Sequence, residues 1–122
     1  MDLRLKRVYE PATAADGYRV LIDRLWPRGV SKERARLDAW ERELAPSDEL
    51  RHWFGHEPQR FAEFRRRYLD ELRSQRPRLT ELRRRARRGP VTLVYAARDD
   101  EHNDAVVLDE ALRRGLPRSA AK

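Results

Sequence analysis

Large apolar residues recur along this chain in three short extended runs, with helically spaced stretches between them. Leu3-Arg4-Leu5-Lys6-Arg7-Val8-Tyr9 begins in alternation, the mark of a strand with one covered face, and its charges place it near a sheet edge. Tyr18-Arg19-Val20-Leu21-Ile22, continued by Asp23, is denser in large apolar and β-branched side chains and predicts a central strand. Val91-Thr92-Leu93-Val94-Tyr95-Ala96 is apolar at nearly every position, as a strand covered on both faces should be. Glu10 to Gly17, broken by Pro11 and Gly17, predicts a loop or a single turn.

Helical segments fill the remainder. Ser31 is placed to cap a short turn through Lys32-Glu33-Arg34. Leu37, Trp40 and Leu44 share one face of a predicted helix that Pro46 ends. Ser47 is a good N-cap for the next short helix, with Asp48 and Glu49 in its first turn, Leu50, Trp53 and Phe54 inward, and Gly55 at its end. Pro58 opens a longer helix carrying Phe61, Phe64, Tyr68 and Leu72 on one side. Pro77 to Arg88 reads as a helix with Leu79, Leu82 and Ala86 inward, stopped by Gly89-Pro90. Asn103 or Asp104 caps a last helix carrying Val106, Val107, Ala111 and Leu112, which Gly115-Leu116-Pro117 ends.

Strands separated by helices predict an α/β fold: a small three-layer sandwich with a short, mostly parallel sheet flanked by helices. The expected organisation is one domain over 1–116 and a C-terminal tail over 117–122. If the Tyr18 and Val91 strands are parallel neighbours, the polar loops that follow them emerge at the same sheet edge. The carboxyl ends of strands are where open α/β sheets bind ligands.

Composition narrows the options. Hydrophobic residues make up 39% and charged residues 40%, so a small core, with ten aromatic side chains as its large units, sits under a crowded surface. The formal net charge of +7 is concentrated: Arg73–Arg88 holds eight arginines and one acid, an excess equal to that of the whole chain. With no cysteine there is no disulfide, thiolate nucleophile or Cys-ligated zinc. No apolar run approaches the roughly 20 residues needed to cross a membrane, and the N-terminus lacks a signal-peptide pattern. A cytoplasmic location with no membrane partner is the expectation.

Candidate chemistry gathers in the two polar loops. Asp23-Arg24-Leu25-Trp26-Pro27-Arg28-Gly29 offers guanidinium forks for a phosphate or carboxylate and an acid to orient them or move a proton. The same residues also fit a purely structural Asp–Arg pair over a packed Trp26. Arg98, Asp99, His102 and Asn103 precede a helix N-terminus, where His102 has the ordinary pKa for proton transfer and the helix end can receive an anion. Plain capping accounts for them equally well. His52 and His56 are spaced i, i+4, but HExxH is absent and Gly55 lies between them, so no metal is expected. GxGxxG, Walker A and GxSxG are absent too, and no cofactor is expected.

Lys6-Arg7-Val8-Tyr9, Gly17 through Gly29, Leu44-Ala45-Pro46-Ser47, Leu50-Arg51 and Phe64 through Tyr68 resemble the YeaO-like branch of the domain of unknown function 488 (DUF488) family. So do Thr92 through Asp99, Asn103 and Ala105 through Leu108. The resemblance spans nearly the whole chain and implies a compact α/β domain without an established activity. Such sequences often carry His after the Asn of the final loop, where this chain has Asp104. Longer relatives carry a Cys-containing motif near the final strand, and its absence here argues against thiol chemistry.

The leading expectation is a polar pocket between the two loops for an anionic small molecule, to be held or acted on. Arg24 and Arg28 would hold the anion; Arg98, Asp99 and Asn103 would complete the wall, Trp26 is a further ligand-binding candidate, and Arg7 would reach in from the first strand. Asp23, Asp99 and His102 are the candidate catalytic groups. The alternative is a nucleic-acid or acidic-partner module using the Arg73–Arg88 face, although no RNP, zinc-finger or helix-turn-helix signature accompanies it.

Overall fold

The computed structural model describes residues 1–118. Four strands, β1 (Leu3–Arg7), β2 (Tyr18–Leu21), β3 (Ala39–Trp40) and β4 (Val91–Tyr95), form one sheet in the order β1-β4-β2-β3. All three pairings are parallel, with Leu5 opposite Leu93 and Val20 opposite Leu93 across the two sides of β4. The last strand in sequence is thus central, buried at all five positions, as its unbroken apolar run requires. β1 is an edge strand, as its charge predicts.

The two-residue period of β4 sorts its side chains onto two cores. Val91, Leu93 and Tyr95 join Leu3, Val20 and Ile22 on one face. That face is covered by α2 (Asp48–Phe54), α3 (Phe61–Glu71), α4 (Arg76–Arg88) and α5 (Asp104–Arg114). Val94 points the other way and meets Leu21, Val8 and Ala35, with Trp26, Val30 and Leu37 packed around them. Here the cover is thin: the one-turn helix α1 (Lys32–Ala35) and the loops on either side of it. The fold is the expected α/β sandwich, with one thick and one thin outer layer.

Beyond its apolar cluster the thin side is closed by charge. Arg19, 3% exposed, donates from Nη1 to Asp16 Oδ2 at 2.7 Å and from Nε and Nη2 to the Ala35 carbonyl. Asp16 also accepts from Lys6 Nζ, the Thr13 amide and the Thr13 hydroxyl, and its own carbonyl accepts from Thr92 Oγ1 at 2.7 Å. Gly17 follows with φ +66°, and a Cβ there would run into the Pro90 carbonyl oxygen.

The predicted caps are in place. Ser31, Ser47 and Asn103 accept from the amides of Arg34, Leu50 and Val106, and Gly55 ends α2 in the left-handed region. Pro58 opens a 3-10 turn (Pro58–Arg60) that runs into α3.

One predicted helix is corrected. Leu37, Trp40 and Leu44 do not share a helical face: Ala39–Trp40 is a strand and Arg42–Leu44 a 3-10 turn. The open edge of β2 captures the segment, with Asp38 N donating to Arg19 O and Glu41 N to Leu21 O. The three apolar residues go to three places: Leu37 to the thin side, Leu44 to the main core, and Trp40 to the surface. Of the tail expected over 117–122, residues 119–122 lie outside the described residues. Among the described residues no helix is long and apolar enough to cross a membrane.

Candidate functional site

Because every strand runs the same way, the chain leaves all four at one edge, and a cleft of about 710 Å³ opens there. Each strand contributes to it: Tyr9 from beyond β1, Asp23 through Arg28 from beyond β2, Pro46 from beyond β3, and Ala96 through Asp99 from beyond β4. Asn103 and Asp104 enter at the start of α5, and Arg51, Phe54 and His56 come from α2 and its end. Phe64 of α3 stacks on Phe54 with centroids 4.3 Å apart, and both, buried in the main core, back the lining. The volume lies within the range of small-molecule pockets, roughly 300–1,000 Å³.

Two carboxyl groups 81 positions apart in sequence, Asp23 and Asp104, both line this cleft, and each perturbs the other's ionisation. Asp23 Oδ2 also accepts from the Ala96 amide at 2.9 Å. Burial pushes the Asp104 carboxyl well above the usual carboxylate range, and the Asp23 charge pushes it further. Burial raises Asp23 as well, but the Asp104 hydrogen bond, the Ala96 amide and the charges of His56 and Arg51 draw it back. Both members are therefore raised, Asp104 the more strongly, and they titrate as a coupled pair. The buried Tyr68 lies near them, its hydroxyl donating to the Leu44 carbonyl at 2.6 Å; burial first, then the Asp104 and Asp23 charges, holds that phenol un-ionised.

The cations divide into spent and free. Arg24 is a brace: Nε donates to Pro46 O at 3.0 Å and Nη2 to Ala45 O, tying the loop after β2 to the entry of α2. That entry is fixed again by Glu71, which accepts from the Ser47 amide and hydroxyl while Ser47 caps α2. Arg28 and Arg98 are exposed at the rim, and neither guanidinium has a hydrogen-bond or carboxylate partner among the described residues. The loop bearing Arg28 is held by Tyr9, whose hydroxyl donates to Arg28 O at 2.9 Å. Arg51 pairs with Asp48 through Nη2, yet its Nε is buried without a partner. A buried N–H left in that condition costs roughly 1–3 kcal/mol.

The remaining sequence candidates are placed as follows. Trp26 lines the cleft, donates Nε1 to Val30 O at 2.7 Å and meets Trp40 edge-on at 5.4 Å. Asn103 lines it too, its side chain accepting from Val106 N and donating one N–H to Asp99 O. Asp99 accepts from the Glu101 and His102 amides and from His102 Nδ1 at 2.9 Å, and these bonds, the Glu101 amide foremost, hold its pKa down. His102 packs edge-on to Phe61 and is not part of the cleft lining. Nor is Arg7, which donates to the carbonyls of Ala96 and Ala97 and so steadies the turn leaving β4. Sequence reasoning missed Arg51, Phe54, Tyr9 and the Asp104 partner of Asp23. Phe54 was legible only as core, and Arg51 and Asp104 only as surface or capping residues. Among the described residues no cluster of His, Cys, Asp and Glu is arranged to hold a metal ion.

On α4 most of the fan of arginines is already occupied. Arg78 meets Glu41, Arg84 and Arg85 meet Glu81, Arg85 also lies over Tyr18, and Arg83 donates to the carbonyls closing α5.

Comparison with known proteins identifies relatives over nine-tenths of the chain. The family model described as the inactive DUF488-N3 subclade matches residues 2–122. The uncharacterized protein YeaO of Escherichia coli (strain K12) is 45% identical over 113 residues, covering 93% of this chain and 98% of the relative. An uncharacterized protein of Mycobacterium tuberculosis (strain H37Rv) is 44% identical over 110 residues, covering 90% and 92%. No solved structure matches the chain.

Proposed function

This chain belongs to the inactive DUF488-N3 subclade, and from that premise we propose that its cleft binds a small anionic molecule rather than turning one over. The observation that carries the reading is the charge balance of the lining. Four guanidinium groups, Arg24, Arg28, Arg51 and Arg98, line it beside three carboxyl groups, Asp23, Asp99 and Asp104, and burial pushes Asp104 well above the usual carboxylate range. Arg28 and Arg98 stand at the mouth as unspent planar donors, suited to a phosphate or carboxylate. Arg51 brings a buried N–H that lacks a partner.

The description of the subclade as inactive agrees with the chemistry of the lining. The chain has no cysteine, and the Asp23 carboxylate is engaged by the Ala96 amide and Asp104 instead of facing a nucleophile. His102, tied to Asp99 outside the lining, is not placed to exchange a proton with a molecule in the cleft.

The test is binding of phenyl phosphate, read as a rise in melting temperature and by calorimetry, since a ligand selecting the folded state must stabilise it. Removing a charge-assisted hydrogen bond of roughly 1.5 kcal/mol or more should weaken binding about tenfold in Arg28→Ala and in Arg98→Ala. Equal affinity for the parent and both variants would remove the reading.

A further inference from the structure

One residue of the cleft is held in a conformation that its local turn does not explain. His56 sits at φ +58°, and among the described residues only Arg36 joins it as a non-glycine at positive φ. Left-handed backbone is costly for a residue with a Cβ, and where it persists it clusters at binding and active sites. The chain does turn sharply here. Gly55 ends α2 at φ +54°, its amide donates to Arg51 O at 3.1 Å, and Glu57 N donates to Phe54 O at 3.0 Å. Glycine or asparagine would make the same turn with less strain. The imidazole is not needed for it: the ring is exposed, has no hydrogen-bond or carboxylate partner among the described residues, and lies 6.1 Å from the Phe54 ring.

What the ring does border is the cleft, which it lines together with Arg51. Both come from the end of α2, and both bring donors without acceptors: the exposed imidazole and the buried Arg51 Nε. We propose that His56 is a ligand-binding residue of the cleft, whose imidazole, when protonated, donates to the bound anion. The inference rests on the anion-binding reading and adds a pH dependence to it. Imidazole is the side chain that ordinarily gains its charge between pH 8 and pH 5, so the cleft should hold an anion more tightly as pH falls through that range. Other groups bear on the same anion. Arg51 from α2, Arg24 and Arg28 after β2, and Arg98 after β4 are guanidinium groups, which stay charged throughout. Tyr9, Asp23, Asp99 and Asp104 are the remaining titratable groups of the lining; Glu57 follows His56 in sequence, and His52 lies on α2 outside the lining. Protonation of Asp23 and Asp104 would also favour an anion as pH falls, so the part that belongs to His56 is the part that disappears with its ring.

The probe is benzenesulfonate, whose single negative charge does not change between pH 5 and pH 8, titrated calorimetrically into the intact chain. The parent should bind it about tenfold more tightly at pH 5.5 than at pH 8. In His56→Gly and His56→Asn, which both suit a left-handed position, affinity at pH 5.5 should fall about tenfold and most of the pH dependence should vanish, while the melting temperature stays level or rises. A residue kept only for its turn gives the opposite, a lower melting temperature with affinity unmoved, and that result overturns the proposal. So does affinity lost together with melting temperature in both variants. A pH dependence that survives in both overturns it too and assigns the effect to Asp23 and Asp104. In each of these cases binding of phenyl phosphate by the parent leaves the anion-binding reading standing. Failure of the parent to bind either anion at any pH overturns the two together.

Discussion

Replacing Asp16 by Asn tests the account of the thin side of the sheet, because this carboxylate is the hub of its polar closure. Asp16 is 5% exposed and pairs with Arg19, itself 3% exposed, at 2.7 Å. Burial alone would raise the Asp16 carboxyl, but the Thr13 amide, Lys6, the Thr13 hydroxyl and Arg19 outweigh it and lower the pKa from 3.8 to about 2. At 1.36 kcal/mol per pKa unit that shift is worth ~2.5 kcal/mol of folding free energy at neutral pH. A depressed folded-state pKa contributes stability that is fully present above the unfolded value near 3.8 and lost as pH falls through the folded value near 2. Asn keeps the shape and the acceptor but not the charge, and leaves the Arg19 guanidinium buried without its counter-ion, a class of change that costs roughly 3–5 kcal/mol when a partner is lost outright. Urea unfolding at pH 7 should therefore place Asp16→Asn at least ~2.5 kcal/mol below the parent. At pH 3, where the parent has itself lost part of this contribution, the charge-dependent part of the gap should shrink to ~1.3 kcal/mol. A gap under ~1 kcal/mol at pH 7, or one of the same size at both pH values, would refute the reasoning.

Other perturbations probe the remaining joints. Tyr68→Phe leaves the Leu44 carbonyl without its hydroxyl donor in the core and should cost roughly 1–3 kcal/mol in denaturant titration, with an unchanged slope. Gly17→Ala meets both a positive φ and the Pro90 carbonyl oxygen, so thermal unfolding should show a loss of more than ~1 kcal/mol. Asp104→Asn should flatten the pH profile: a raised folded-state pKa makes the parent lose stability as pH climbs out of the carboxylate range, and the variant lacks that loss. Its melting temperature relative to the parent should be higher at pH 8 than at pH 5; a constant difference would show that Asp104 ionises normally.

The candidate site was half legible in the chain. Reading the Tyr18 and Val91 runs as parallel neighbours was enough to bring the loops of Arg28 and Arg98 to one edge, since parallel strands release the chain at the same end. What each residue does there was not legible. Arg24 and Arg7 look like anion ligands in sequence, yet their guanidinium groups are bonded to carbonyls, and a guanidinium serves a carbonyl as well as a phosphate. Asn103 reads equally as cap and as ligand, and its side chain caps α5 and donates one N–H to the Asp99 carbonyl.

By itself the sequence determined whatever rests on local periodicity and local hydrogen bonds: the three long strands, the capped starts at Ser31, Ser47 and Asn103, and the stop at Gly55. Only the tertiary structure decided the rest. Strand β3 is two residues long and has no period of its own; it exists because the edge of β2 offers unpaired amides and carbonyls, which outweighs a helical spacing of three apolar residues. The Asp23–Asp104 pair and the Asp16–Thr92 contact join positions more than seventy residues apart, and hydrophobic burial on the two faces of β4 brings them together before any pairing of their own can act.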